Sequence, residues 1–193
     1  WKGAYLTRSK ASIFSDWRIV KDSDAPKIPA SLVPRYGADW GFMTDSTTLV
    51  RCWVLANERV IYVDHEAYGV GVDIVDTPAL FRGVPDSDRH LIVADSSRPE
   101  TISHMRNHFN KRVMPAVKGP NSVEEGVKFL QGYTILVHER CEHTIDELEN
   151  YKRKTDPKTG EVLDEIEDKH NHSMDALRYA VESDRPAPKA VPV

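Results

Sequence analysis

The sequence predicts an α/β domain whose mixed β-sheet carries helices on its faces. Three observations indicate this fold class. Short runs rich in β-branched and aromatic residues follow one another between residues 35 and 69. Helical and strand-like segments then alternate, and the last segment is an amphipathic helix.

The first three strands are predicted at residues 36–41, 47–56 and 60–63. The connections between them are short, which favours an antiparallel meander.

Helices and strands alternate in the middle of the chain. Helices are predicted at 73–82, 99–110, 122–130 and 144–154, and strands at 91–94, 113–117 and 133–137. Ser122 and Thr144 each precede a glutamate by three residues, the spacing of a capping box. Residues 156–160 combine Asp, Pro and Gly between strand-capable flanks, so a β-hairpin is expected before the final helix.

Three regions are predicted. Residues 1–34 contain three prolines and no sustained periodicity, which is typical of a linker or arm, although Ile13, Phe14 and Trp17 are apolar enough to pack on the domain or on a neighbour. Residues 35–183 form the domain, and 184–193 are expected to be a flexible tail. Because the chain starts at Trp1, we interpret it as a fragment of a longer polypeptide.

Composition limits the classes of function. The chain has 193 residues with no long apolar run, so no membrane segment is predicted and a soluble intracellular protein is expected. Two cysteines, Cys52 and Cys141, do not make a disulfide framework. The net charge of −4 argues against a broad basic nucleic-acid surface, but not against an enzyme that touches nucleic acid only at its site.

The final helix carries polar and apolar faces. Asp168, His172 and Asp175 follow at i, i+4 and i+7 and share one side if the helix begins near Asp168. Met174 and Leu177 belong to an apolar stripe on the opposite side.

Two further acids stand at predicted strand ends. Asp39 ends the first strand, and Asp95 follows the buried run at 91–94. If these strands are parallel neighbours, both carboxylates lie at the carboxyl edge of the sheet, where the final helix can add Asp175. Three carboxylates without cysteine suit Mg²⁺ or Mn²⁺, and two such ions about 3.5–4 Å apart catalyse phosphodiester hydrolysis.

Simpler interpretations of the same acids stay open at this point. Asp39 is also suited to satisfying backbone donors in a turn, and Asp175 to a solvated helix face. Asp95 is harder to explain in this way, because a buried carboxylate needs a partner or an ion.

A family resemblance covers residues 35–183. Four ordered segments, 36–48, 93–100, 116–123 and 171–179, together resemble the nuclease domain of the large terminase subunit of tailed bacteriophages. The resemblance implies an RNase H-like fold and a metal-dependent endonuclease that cuts concatemeric double-stranded viral DNA during packaging in the host cell cytoplasm.

The same resemblance implies roles for particular residues and partners. Asp39, Asp95 and Asp175 match the family's metal-binding acids, His172 matches a histidine beside the last acid, and Lys118 matches a recurrent lysine. A packaging ATPase domain is expected before Trp1, with a portal protein and a small terminase subunit as partners. ATP hydrolysis is not expected from this chain, because its sequence has no phosphate-binding loop motif.

A basic run precedes the final helix. Lys152, Arg153, Lys154 and Lys158 lie at and within the predicted hairpin. A solvated helix end and a set of DNA phosphate contacts both explain such a run.

Two other functions remain as alternatives. Another RNase H-like nuclease, such as a junction resolvase or a transposase core, would share the acids. A non-catalytic docking domain of a packaging motor would not need them.

Overall fold

A seven-stranded mixed sheet forms the centre of the molecule. The computed structural model describes residues 10–185 except Phe42, Asp168 and His170. The strands are β1 (Trp17–Val20), β2 (Arg35–Asp39), β3 (Ser46–Leu55), β4 (Val60–Val70), β5 (Ile92–Ala94), β6 (Val113–Pro115) and β7 (Thr134–His138). They lie in the order β1-β7-β4-β3-β2-β5-β6.

The strand directions agree with the prediction. β2, β3 and β4 are antiparallel neighbours, whereas β5, β6, β7 and β1 join the sheet by parallel pairings. A separate hairpin of β8 (Arg153–Thr155) and β9 (Val162–Ile166) precedes the last helix.

Helices cover both faces of the sheet, which is also as predicted. They are α1 (Thr77–Phe81), α2 (Pro99–His108), α3 (Ser122–Gln131), α4 (Glu142–Asn150) and α5 (His172–Ala180). Successive residues of β3 point to opposite faces: Val50 packs in the core with α3, α4 and α5, and Leu49 packs in the core with α1 and α2. Among the described residues no helix has both the length and the apolar character needed to cross a membrane.

Close packing of α5 on β2 fixes the position of the last helix. Gly37 lies in the middle of β2, and a Cβ atom there would come within 1.8 Å of the Ala176 carbonyl oxygen and 2.5 Å of the Ala180 nitrogen. The backbones therefore approach as closely as a glycine allows, which brings the start of α5 to the end of β2.

The structure corrects the boundary expected at residue 35. β1 lies inside the predicted arm and pairs with β7 as the edge strand of the main sheet. Ile13, Phe14 and Trp17 are buried in the core beneath α3 and α4. Burial of these side chains orders the segment in spite of its prolines.

The expected tail also begins too early. Asp184 accepts two hydrogen bonds from the Arg35 guanidinium, at 2.8 and 3.0 Å. Residues 186–193 lie outside the described residues, as do residues 1–9 of the predicted arm.

Both predicted capping boxes are wrong. α3 begins after Asn121 and α4 after Cys141, and neither helix has a side-chain cap. α5 likewise begins at His172 rather than near Asp168, which lies outside the described residues. Glu147, the acid of the second expected box, is used elsewhere, as described below.

Candidate active site

Two carboxylates are in register at the carboxyl edge of the sheet. β2 and β5 are parallel neighbours in which Ala38 pairs with Ala94. Asp39, the last residue of β2, and Asp95, the first residue after β5, directly follow this pair. The Asp95 N–H donates to the Ala38 carbonyl oxygen at 2.9 Å, which extends the pairing to the acids themselves. Asp95 is only 6% exposed.

The first turn of α5 lies next to these acids. His172 Nδ1 is 2.9 Å from Asp39 Oδ2. Asp175 is one turn further along the helix, where its side chain is 20% exposed. The solvated helix face considered for Asp175 is therefore not what the structure shows.

Each carboxylate has a cationic or titratable partner of its own. Asp39 faces His172, Asp95 forms an ion pair with Lys118, and Asp175 lies 2.8 Å from the buried Arg178 guanidinium. Lys118 belongs to the loop between β6 and α3, so the partners come from different parts of the chain.

Burial and mutual repulsion make two of the acids weaker. Burial raises the pKa of Asp39, and the neighbouring Asp95 carboxylate adds to this effect, while His172 opposes it. Burial also raises the pKa of Asp175 against the opposing influence of Arg178, and the Asp39 charge raises it further. The three acids therefore interact electrostatically as one group.

Asp95 behaves differently because more donors surround it. Burial alone would raise its pKa, but hydrogen bonds from Lys118 and Ser97 hold it below the usual range. The Tyr179 hydroxyl lies 3.5 Å from the same carboxylate, and Trp40 Nε1 donates to the Asp95 backbone carbonyl at 2.8 Å. Asp95 is thus a charged carboxylate held in a fixed position.

The pKa of His172 is raised by its contact with Asp39. The hydrogen bond from its imidazole to Asp39 raises the His172 pKa, although burial opposes the shift. The pair consequently favours an imidazolium against a carboxylate.

Glu147 anchors the helix that carries His172 and Asp175, and sequence reasoning did not find it. It lies on α4, is 4% exposed, and its Oε2 accepts the backbone N–H groups of Ser173 at 2.7 Å and Met174 at 3.1 Å. Burial raises the Glu147 pKa to about 7 against these two hydrogen bonds. The feature of the sequence that could have identified Glu147 is an acidic residue on the buried side of a predicted helix.

A similar contact holds α4 in place. Glu66 on β4 accepts the N–H groups of His143 at 2.8 Å and Thr144 at 2.9 Å, at the first turn of α4. Two glutamates therefore link the sheet to α4 and α4 to α5, each by binding the free N–H groups of a helix start.

The donor set matches a hard divalent cation in its chemistry. Asp39, Asp95 and Asp175 offer only oxygen, and a divalent cation would offset both the burial of charge and the smaller mutual repulsion that raise the pKa values of Asp39 and Asp175. Within the described part of the chain, no three His, Cys, Asp or Glu side chains are grouped so that they could hold a metal ion. Metal ligation would therefore require Asp95 and Asp175 to release Lys118 and Arg178.

The basic run is divided between paired and exposed side chains. Arg153 pairs with Glu124, and Lys154 pairs with Glu165 across the hairpin. The side chain of Lys158 is exposed at the hairpin turn. The backbone of Lys152 forms an isolated antiparallel β-bridge with that of Ser12. The fold brings Lys118 to the acids, but it does not bring these four residues into the acid cluster.

A family model described as the terminase RNase H-like domain matches residues 39–183, which include all three acids. The chain belongs to this family. The fold class and family predicted from the sequence are thereby confirmed.

Relatives of this terminase domain agree with the assignment. The chain is 35% identical over 154 residues to the large terminase subunit of Bacillus phage SPP1, covering 78% of this chain and 36% of that protein. It therefore spans about a third of the length of this curated relative.

Solved structures show the same fold. The large terminase nuclease domain of bacteriophage SPP1 with bound Mn has a TM-score of 0.76 and 30% identity, covering 89% of this chain and 98% of that one. The large terminase nuclease of thermophilic phage G20c with bound magnesium matches with a TM-score of 0.60 and 16% identity, over 89% and 97% of the two chains. The second match speaks for the fold alone.

Proposed function

We propose that this terminase RNase H-like domain is a metal-dependent endonuclease that cleaves double-stranded viral DNA by two-metal-ion phosphodiester hydrolysis. The observation that carries the proposal is the in-register pair of Asp39 and Asp95, together with Asp175 on α5, which interacts electrostatically with Asp39. The bound Mn in the SPP1 nuclease domain, which is 30% identical to this chain, supports a divalent cation as cofactor.

The acids have distinct tasks in this proposal. Asp39 and Asp95 would hold the cations from the strand ends, and Asp175 would complete the second site from the helix. Bound Mg²⁺ or Mn²⁺ supplies Lewis-acid stabilisation of the phosphate and lowers the pKa of water.

The cationic partners position these acids and handle protons. His172 orients Asp39 through the 2.9 Å contact and holds a proton at Nδ1. Lys118 keeps Asp95 charged before substrate arrives and is close enough to the acids to contact a DNA phosphate. Lys152, Arg153, Lys154 and Lys158 are proposed as further phosphate contacts from the hairpin side.

The family also supports a proposal for the biological setting. The substrate is concatemeric DNA in the host cell cytoplasm, and the partners are a packaging ATPase domain of the same polypeptide, a portal protein and a small terminase subunit. The share of the SPP1 large subunit that this chain leaves unmatched supports a further domain.

Cleavage assays test the proposal directly. Supercoiled plasmid is incubated with Mn²⁺ and the wild-type chain, Asp39→Asn, Asp95→Asn, or Asp24→Asn as a control at an exposed acid in the segment after β1. Loss of cleavage in the first two variants alone, with unchanged circular dichroism, is expected. Full activity of Asp39→Asn or Asp95→Asn would refute the assignment.

The choice of substrate separates the alternatives. Linear duplex, four-way junctions and RNA–DNA hybrids are compared under the same conditions, and preference for the duplex is expected. Strong preference for the junction would favour a resolvase. No cleavage at any metal concentration, together with no effect of Mn²⁺ on the melting temperature, would favour a docking domain.

A further inference from the structure

A small cationic pocket adjoins the acid cluster. It has a volume of about 140 Å³ and is lined by Lys118, Ser122, Asp175, Arg178 and Arg185, among others. The pocket shares Asp175 with the proposed active site, so a group bound there lies directly beside the reacting phosphate. Its volume is well below the roughly 300–1,000 Å³ of drug-sized ligand sites.

The charge of the pocket is opposite to that of the whole chain. Three cationic side chains and one carboxylate line it, whereas the protein carries a net charge of −4. Arg178 is committed to Asp175 at 2.8 Å, and Lys118 to Asp95.

Arg185 is less completely satisfied than these two. Its Nη2 donates to the Arg178 carbonyl oxygen at 3.0 Å, but among the described residues its buried Nε has no hydrogen-bond partner. A buried guanidinium N–H without an acceptor is costly, and an anion in the pocket would provide one.

The two arginines are close enough to repel each other. Burial and the Arg178 charge lower the Arg185 pKa, while Glu182 and Glu125 oppose the shift. Glu182 is already engaged, because its carboxylate accepts the Val117 N–H at 3.0 and 3.1 Å.

A glycine in the middle of α3 makes room for both guanidinium side chains. A Cβ atom at Gly126 would lie 2.9 Å from Arg178 Cδ and 3.4 Å from Arg185 Nη1. Glycine inside a helix is less stable than alanine. The helix thus gives up intrinsic stability at a position that lies against both arginines.

We propose that this pocket binds a DNA backbone phosphate next to the phosphate that is cleaved. Arg185 is the principal hydrogen-bond donor to the bound phosphate. A phosphodiester suits the site, since arginine forms planar, charge-assisted hydrogen bonds with phosphate oxygens. The contact is independent of base sequence. The inference rests on the proposed nuclease function, because it identifies how the substrate is positioned at the same site.

DNA binding without divalent metal tests the pocket separately from catalysis. Fluorescence anisotropy with a labelled 20-base-pair duplex in EDTA is measured from 50 to 300 mM KCl for the wild-type chain and for Arg185→Gln, Arg185→Lys and Arg89→Gln. Arg89 is the control, because its side chain is 74% exposed in the loop that precedes β5, away from the acid edge.

The expected result is specific to Arg185. Arg185→Gln weakens binding about fivefold to tenfold at 50 mM KCl and reduces the slope of log K against log salt by about 1. Arg185→Lys restores most of that slope, and Arg89→Gln matches the wild type.

Two results would overturn the proposal that this pocket binds a DNA phosphate. One is an Arg185→Gln affinity and salt slope equal to those of Arg89→Gln, and the other is no measurable duplex binding by the wild-type chain at 50 mM KCl. Neither is the same as failure of the nuclease proposal, which would appear as duplex binding in EDTA without any cleavage in Mn²⁺. In that case the anisotropy comparison still decides the pocket.

Discussion

The imidazole of His172 lies 2.9 Å from the carboxylate of Asp39, across 133 positions of the sequence. This contact joins the first turn of α5 to the end of β2, and it raises the His172 pKa. A proton on His172 therefore contributes to the stability of the folded domain, and that contribution depends on pH.

Replacing His172 with glutamine should show this dependence. Because the folded-state pKa of His172 is raised, the charged pair stabilises the domain fully below the unfolded pKa of about 6.5, and the effect is lost as pH rises through the folded value. We expect His172→Gln to cost about 1 kcal/mol near pH 6 and less at pH 9. Urea unfolding in EDTA measures this loss of unfolding free energy at each pH. A loss that grows with pH would contradict a stabilising proton on His172.

Glu147 should have a different signature from His172. Burial raises its pKa from 4.5 to about 7. The folded state then binds the proton more tightly than the unfolded state does. As the pH rises from 4.5 to 7, the free energy of unfolding of the wild type therefore falls relative to that of Glu147→Gln. The glutamine oxygen can still accept both N–H groups, because one oxygen of Glu147 accepts both.

The alanine variant separates the hydrogen bonds of Glu147 from its charge. Glu147→Ala leaves two buried N–H groups unpaired at the start of α5, which should cost about 2 kcal/mol and reduce cleavage with Mn²⁺. Equal activity and equal stability of Glu147→Ala and Glu147→Gln would show that the α5 anchor does not depend on this side chain.

Gly37 tests how closely α5 packs on β2. Gly37→Ala places a methyl group against helix backbone that cannot move aside, so we expect a loss of about 3 kcal/mol in the free energy of unfolding. Gly119→Ala is the matched control, since a Cβ there meets no atom of the described residues within 4 Å. Thermal and urea unfolding distinguish them, and similar stabilities of the two variants would contradict the close approach.

Two lysines of the hairpin region, the half-buried Lys152 and the exposed Lys158, test the proposed DNA path. The double variant Lys152→Gln, Lys158→Gln should reduce the slope of log K against log salt for duplex binding by about 2 if both side chains contact phosphate. The pair Lys27→Gln, Lys111→Gln removes the same charge from exposed positions outside the hairpin. Identical slopes for the two double variants would favour a solvated hairpin instead.

Local patterns were sufficient to predict the acid pair. Asp95 follows an uninterrupted apolar run and Asp39 ends a strand, so their positions depended only on the strand assignments. Parallel pairing of β2 and β5 then placed them together.

Long-range contacts could not be predicted in the same way. The Thr144 to Glu147 spacing suggested a local capping box, but Glu147 instead binds the start of α5, 26 residues further on. β1 has only four residues, and its place in the sheet depends on pairing with β7, which no local periodicity indicates.

Diffraction from crystals soaked in Mn²⁺, recorded at the manganese absorption edge, tests the central claim most directly. We expect anomalous peaks among the carboxylates of Asp39, Asp95 and Asp175, with Lys118 and Arg178 withdrawn from the acids they now contact. Absence of a peak there at saturating Mn²⁺, or peaks only at other surface acids, would contradict a metal-dependent nuclease site at the carboxyl edge of this sheet.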